Sequence, residues 1–496
     1  MKATLVTCVA MQMLFGLGCV ASPDGSDGDD SATEDDEASI ETVARCDQDH
    51  DHGHDHDHDR VLPNGVPFRN DSGYATTVST TGSIDLRNEF FQDLGTNGRR
   101  CVSCRQPSTG WTVTPEDLRE TFDRTRGGAV DDGTGAGAIF RLLDGANSPT
   151  ADVSTLAKRR QAYSMLLNKG LIRTFLPIPA TAEFELVAVD DPYHHANAAE
   201  LSLFRRPLPT ANIRFLATIM WDGRENLAGL SIHDDLLHQS NSAQVTHAAG
   251  RPLTNAQRSS LVNFQTALHT AQVWDDRAGS LTAKGGRGGA EEATDQAFYL
   301  GINDNFGDSQ TGAAFDSVVF DLYDTWTNLR HGHRAAERRA VARGQALFNN
   351  KPINIAGVAG INDNPAFGRP ANLVGTCTSC HDTPNVGNHS VSLQLNIGIA
   401  DASRRTADMP LYTLRNKTTH EIKKTTDPGR SLITGLWGDV GKFKGPVLRA
   451  VATRAPYFHN GSAKDLGEVI DFYDTRFGIG FTRQEKADMI AFLRTL

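Results

Sequence analysis

The sequence predicts a mainly α-helical chain of two units packed together, the first enlarged by insertions. Three observations lead there. Helix start and stop signals recur from residue 114 onward, and strand signals are few. Two Cys-x-x-Cys pairs, Cys101/Cys104 and Cys377/Cys380, each follow a segment with Phe90-Phe91 or Leu347-Phe348. Thr114-Pro115-Glu116 joins an N-cap residue to a proline at the first helical position. Ser154 to Asn168 is a second helical stretch, stopped near Gly170. Thr254 to about Trp274 is a third, with Leu261, Phe264, Leu268 and Val273 at roughly helical spacing. Ala335 to Phe348 is a fourth. Thr482-x-x-Glu485 is a capping box, followed by Met489, Ile490, Leu493 and Leu496 on one face. Phe184 to Val189 is the best strand. The pairs lie 276 residues apart, so the insertions fall in the first unit, 61–334, and the second unit is 335–496.

The first residues read as a targeting segment. Lys2 precedes a short apolar run from Thr4 to Gly18, too short to span a bilayer stably, so 1–21 is expected to be a signal peptide. Two processing outcomes follow: Gly18-Cys19 as a lipoprotein site anchoring the chain by Cys19, or cleavage after Ala21. Either puts the mature protein in the periplasm or otherwise outside the cytoplasm. Residues 22–60 hold 15 acidic and 2 basic residues and few aromatics, the composition of a disordered linker. The linker ends in a His/Asp run, Asp49 to Asp59, which either binds zinc or copper weakly or serves as a solvated spacer. The remaining chain holds 46 basic and 45 acidic residues with no basic cluster, which argues against a nucleic-acid partner.

The cysteines carry the chemistry. Cys8 falls in the signal segment, and Cys46 is left over in the linker. Cys377-Thr378-Ser379-Cys380-His381 is the spacing of covalent c-type haem attachment: two thiols form thioethers and the adjacent imidazole reaches the iron. The first pair reads Cys101-Val102-Ser103-Cys104-Arg105. An arginine stays protonated and has no lone pair for iron. That pair therefore holds a haem whose iron is ligated by another group, or it is empty and free to close as a disulfide.

At this point the sequence resembles the bacterial di-haem cytochrome c peroxidase family, which includes the di-haem enzyme that matures methylamine dehydrogenase. The resemblance covers most of residues 80–496. It rests on Gly98 to Thr112, Trp221-Asp222-Gly223-Arg224-Glu225, Ala267 to Val273, Cys377 to His389, Phe443 to Arg449 and Arg454 to Tyr473, in that order. It implies two cytochrome c-like domains, each holding a haem near their interface. It also implies peroxide chemistry at the first haem, electron relay through the second, a small cytochrome or cupredoxin as electron donor, and an interdomain calcium whose ligands the sequence does not assign. Trp221 matches the tryptophan that bridges the haems; its alternative is a core aromatic. Tyr473 matches the sixth ligand of the second haem, a methionine in the peroxidases, and could equally pack against the haem edge. Met409 and Met489 are the other sulfur donors to weigh, and Met489 fits the apolar face of the last helix.

Two departures from the family fall on the first haem. Arg105 replaces its proximal histidine. Gln239 matches a distal glutamine, but no acid follows in Ser240 to Pro252, where His247 is the nearest titratable group. His247 is therefore a distal acid/base, a ligand, or a histidine of no special role. The expected function is reduction of hydrogen peroxide, weakened by Arg105. The competing expectations are an oxidase that modifies a partner protein, an electron carrier with one working haem, and a metal-capture lipoprotein acting through its tail.

Overall fold

A computed structural model describes residues 60–496. The signal segment, Cys19, Cys46 and the His/Asp run lie outside the described residues. The described residues begin with four strands, β1 (Val61–Pro63), β2 (Pro67–Asn70), β3 (Gly73–Ser79) and β4 (Ser83–Asp85). The helices α1 (Pro115–Thr125), α2 (Leu156–Ala162) and α3 (Ser164–Lys169) follow, then β5 (Ile172–Leu176), β6 (Phe184–Asp190) and β7 (Leu201–Arg205). Next come α4 (Ile232–Thr246), α5 (Asn255–Ala267), β8 (Leu268–Asp275), β9 (Gly279–Ser280) and α6 (Ala290–Asp295). The last part holds α7 (Ala335–Asn350), β10 (Ile353–Ile355), β11 (Leu373–Gly375), β12 (Leu411–Asn416), β13 (Ile422–Thr425), α8 (Ser431–Thr434), α9 (Leu466–Phe477) and α10 (Arg483–Leu493).

The expectation of a mainly α-helical chain is wrong: helices make up 32% and strands 17%, in several sheets. The antiparallel four-stranded sheet runs β2-β3-β8-β9, and the three-stranded sheet β13-β12-β6 joins strands from both halves of the chain. These strands escaped notice for a physical reason. β7 is buried along its whole length, and β3 at every residue but Tyr74, so neither shows the in–out alternation that reveals a half-buried strand. The third predicted helix fails half-way. α5 ends at Ala267, and Leu268 to Asp275 turn into β8, paired with β3 from Ser79↔Leu268 to Gly73↔Asp275. The β-branched and aromatic residues Thr270, Val273 and Trp274 suit a pleated surface, and the tertiary partner overrides the apparent helical spacing.

Locally coded features form as expected. Thr114 caps α1 by accepting from Asp117 N, and Gly170 ends α3 in the left-handed conformation. The predicted strand at Phe184 is β6. Thr482 and Glu485 form their reciprocal capping box, and Met489, Leu493 and Leu496 are buried with Phe320, Tyr323, Trp326, Phe348 and Phe492. Arg343 of α7 grips Asp488 of α10 through two hydrogen bonds of 2.8 Å.

Gly344 decides how closely α7 and α10 cross. A Cβ there would lie 2.0 Å from the Asp488 carbonyl oxygen, a backbone atom that no rotamer change can move. Gly344→Ala gains about 1 kcal/mol of intrinsic helix preference. It must also push the helices apart, an overpacking penalty of about 1–3 kcal/mol for side chains that can adjust, and more against backbone. We expect a net loss of stability in thermal or denaturant unfolding. A variant as stable as the parent would show that the crossing opens freely.

Candidate functional site

The two Cys-x-x-Cys segments are conformational copies. Each is a single 3-10 turn, Cys101–Ser103 and Cys377–Ser379. In each, the serine hydroxyl accepts from the backbone N–H just before the first cysteine: Arg100 N at 3.1 Å and Thr376 N at 3.0 Å. In each, the second cysteine donates its N–H to the first cysteine's carbonyl, at 3.2 and 3.3 Å. The second cysteines share their backbone angles, φ −120°, ψ 0° for Cys104 and φ −121°, ψ −10° for Cys380. All four thiols are free, and burial pushes Cys101 up to about 11 and both Cys377 and Cys380 up to about 12. The first turn thus keeps the geometry of the second although Arg105 stands where His381 would be.

His381 is held as a donor of one free lone pair. Its Nδ1 lies 2.6 Å from the Gly387 carbonyl, which can only accept, so Nδ1 bears the proton and Nε2 the lone pair. Burial pushes the ring's pKa down, keeping it neutral. The loop after it is closed by Asp382, which takes His389 Nδ1 at 2.9 Å and Ser390 N at 2.6 Å. Asp382 and His389 are structural partners that sequence reasoning passed over. Tyr473, on α9, faces this turn: burial drives its hydroxyl pKa up, reinforced by the neighbouring thiols of Cys380 and Cys377. Its ring stacks on Phe477, with centroids 6.2 Å apart. Met489 is fully buried in the core around α7 and α10, and Met409 packs with Met165, Leu171 and Phe204.

Beside the first turn lies a cavity open to solvent. Its wall brings together Cys101, Cys104, Arg105, Trp221, Gln239 and His247, which the sequence scatters over 147 positions. Gln239, Ala243 and His247 recur every four residues because α4 lays one face along the cavity. Free thiols on a 3-10 turn, an imidazole with an open Nε2 at the second turn and an open cavity at the first all fit thioether-bound haem. No group of three or more His, Cys, Asp or Glu among the described residues is placed to hold a metal ion, so the expected calcium rests on the resemblance alone.

Trp221 sits where the two halves meet. Its Nε1 donates to the Arg206 carbonyl at 2.8 Å, and its own carbonyl accepts from Lys444 N at 2.9 Å. Its ring meets His459 edge-on at 6.2 Å, and His459 stacks on Phe443 at 3.9 Å. The next aromatic, Phe458, lies 6.3 Å from Tyr473. One group of rings, Trp221, His459 and Phe443, thus starts at the first cavity, and a second, Phe458, Tyr473 and Phe477, lies beside the second turn. The neighbouring Asp222 anchors Trp221. Arg205 at 2.6 Å and Arg224 at 3.1 Å hold it, and Arg205 also grips Asp427 at 2.7 Å. Burial pushes Asp222 upward, but these guanidiniums hold it down to about 2. Arg205 and Arg206 were missed because β7 carried no visible strand signal; two adjacent arginines inside an apolar run were the available clue.

No family model matches the sequence. Curated relatives are found. Cytochrome-c peroxidase IdrP1 of Pseudomonas sp. (strain SCT) is 31% identical over 199 residues, 36% of this chain and 44% of that protein. Cytochrome c551 peroxidase of Nitrosomonas europaea is 29% identical over 121 residues, 24% of this chain and 30% of that protein. Part of the chain is thus similar in sequence to proteins named as cytochrome c peroxidases. The matches span less than half the length of these curated relatives. A crystal structure of a MauG-like protein associated with microbial copper homeostasis is similar at 19% identity and a TM-score of 0.32, covering 62% of this chain and 76% of that one.

Proposed function

We propose that this chain is an exported peroxidase-type oxidoreductase that carries covalently attached c-type haem and reduces hydrogen peroxide. One observation carries the reading: two superimposable Cys-x-x-Cys turns, one beside an oriented imidazole and one opening on a cavity whose wall holds Trp221. The relatives named as cytochrome c peroxidases support it. Cys377 and Cys380 would hold the haem through which electrons enter from a small donor protein such as a cytochrome or cupredoxin, and His381 Nε2 would be the nitrogen offered to it. Haem supplies the redox chemistry, and two electrons with two protons turn one peroxide into two waters. The cavity beside Cys101 takes the peroxide. Residues 1–21 serve as the export signal, with Cys19 as lipid site or Ala21 as the last residue removed.

The test is a pair of measurements on the matured, full-length protein. Mass spectrometry counts thioether-bound haems, and stopped-flow with peroxide and a reduced donor protein reads turnover. Covalent haem with peroxide-dependent donor oxidation is expected. Haem-loaded protein that leaves peroxide untouched would make the chain an electron carrier. A second reading, oxidation of a partner protein, is favoured by Tyr473 beside Cys377 and Cys380. Peroxide-driven modification of a co-purifying partner, without a small donor, would select it.

Tyr473 supplies a further prediction. A phenolate is a hard anionic ligand that favours oxidised iron, whereas a thioether favours the reduced form. Tyr473→Met should raise the midpoint potential of the second haem, read by spectroelectrochemistry, and Tyr473→Phe should change its absorption spectrum. An untouched spectrum in Tyr473→Phe would leave Tyr473 as a packing residue.

A further inference from the structure

The cavity beside Cys101 and Cys104 contains an imidazole that its own motif lacks. His247 caps the C-terminal end of α4, and its Nδ1 lies 2.7 Å from Asp144 Oδ2. The Arg99 guanidinium, which can only donate, lies on the same Oδ2, so that oxygen is the acceptor in both contacts. The His247 proton therefore sits on Nδ1. Nε2 keeps its lone pair and makes no hydrogen bond among the described residues.

Asp144 itself cannot swing. Arg99 binds the same Oδ2 at 2.5 Å and is fixed in turn by the Ala138 and Ile139 carbonyls, each at 3.0 Å. Asp144 is 1% and Arg99 4% exposed. The His247 carbonyl accepts from Asn97 Nδ2 at 2.8 Å and from Arg99 at 3.3 Å, so the segment leading into Cys101 holds His247 by backbone as well as ring. Arg99 and Asp144 are also charged neighbours of the Cys104 thiol. The Arg99–Asp144 pair is buried while 37% of the His247 side chain stays exposed, so the costly burial of charge falls on the two groups that back the imidazole and not on the ring. Carboxylate-backed imidazole is the arrangement by which proteins fix the tautomer and raise the basicity of a metal-ligating histidine. Met220 supplies a thioether to the cavity wall, and a thioether has no proton to be oriented this way.

We propose that Asp144, clamped by Arg99, aims His247 Nε2 into the cavity, so that His247 rather than residue 105 gives the axial nitrogen to the group attached at Cys101 and Cys104. The inference rests on the proposed function, in that it requires haem at the first pair. His247 is then the ligand, and Asp144 and Arg99 are positioning residues. The chain has moved its imidazole from the residue after the second cysteine to the end of α4, and Arg105 is a tolerated consequence.

The experiment uses the matured full-length protein and begins with the haem count. With two haems confirmed, electron paramagnetic resonance and near-infrared magnetic circular dichroism report the nitrogen ligands of each. His247→Gly should lose the nitrogen-ligated signal of one haem. Added imidazole should restore it, and so should Arg105→His in the same variant. Asp144→Asn should keep the ligand but shift its resonance and raise that haem's midpoint potential. This conservative variant also keeps the test decisive if His247→Gly matures poorly. An unchanged ligand signal in His247→Gly overturns the inference, and so does loss of the signal in Met220→Leu instead. Lost turnover with an unchanged spectrum makes His247 a proton-handling group and overturns it as well. A single haem, at Cys377 and Cys380 alone, removes the first attachment site and the inference with it, while peroxide turnover by that protein would leave the proposed reaction standing.

Discussion

A His381→Ala protein is expected to lose the low-spin haem signal of the second site, and peroxide turnover should fall about 100-fold or more. Removing even an outer partner of a metal ligand typically costs about 10–100-fold, and here the ligand itself is lost. The expectation follows from the bond to Gly387 O, which leaves Nε2 as the open atom of a neutral ring. Besides the His381–Gly387 bond, the surrounding loop is held by Asp382 through His389 and Ser390, so the fold should survive the change. His381→Gly separates ligation from structure, because added imidazole can re-enter the space and should restore the spectrum. A His381→Ala protein with unchanged spectrum and potential would remove this residue from the iron.

Trp221→Phe should slow peroxide-driven oxidation of the second haem by about tenfold or more at constant haem content. A barrier raised by about 1.4 kcal/mol is enough for a factor of ten. Phenylalanine keeps an apolar ring against His459 but is much harder to oxidise, and it loses the hydrogen bond from Nε1 to the Arg206 carbonyl. The Asp222–Arg205–Asp427 network beneath it is untouched, so thermal stability should change little. Stopped-flow absorbance at the second haem reads the rate. Equal rates in parent and variant would make Trp221 a packing residue of the junction.

Much of the site chemistry could be read from adjacent letters. Cys377-x-x-Cys380-His381 needs only one local turn to bring its groups together, and the same turn at Cys101 forms from its own serine and backbone. The caps at Thr114, Gly170 and Thr482 are equally local, because each is made by residues within four positions of one another. Trp221 and Tyr473 were singled out through resemblance, and the tertiary structure puts one on the first cavity and the other beside the second pair of thiols.

What the sequence by itself determined, then, is the set of short-range devices: two Cys-x-x-Cys turns, helix ends, and an arginine at residue 105 where the second turn has His381. What only the tertiary structure decided is everything assembled across long separations. The sheets are one case, since β3 pairs with β8 nearly 200 residues later and both are too buried to alternate. The Arg99–Asp144–His247 array is the other, since its members lie 45 and 103 residues apart and no local pattern links them. A hydrogen bond between distant residues leaves no period in the chain. It exists because the folded backbone brings a buried carboxylate, its guanidinium and an imidazole to one wall of a cavity, where each is stable only with the others.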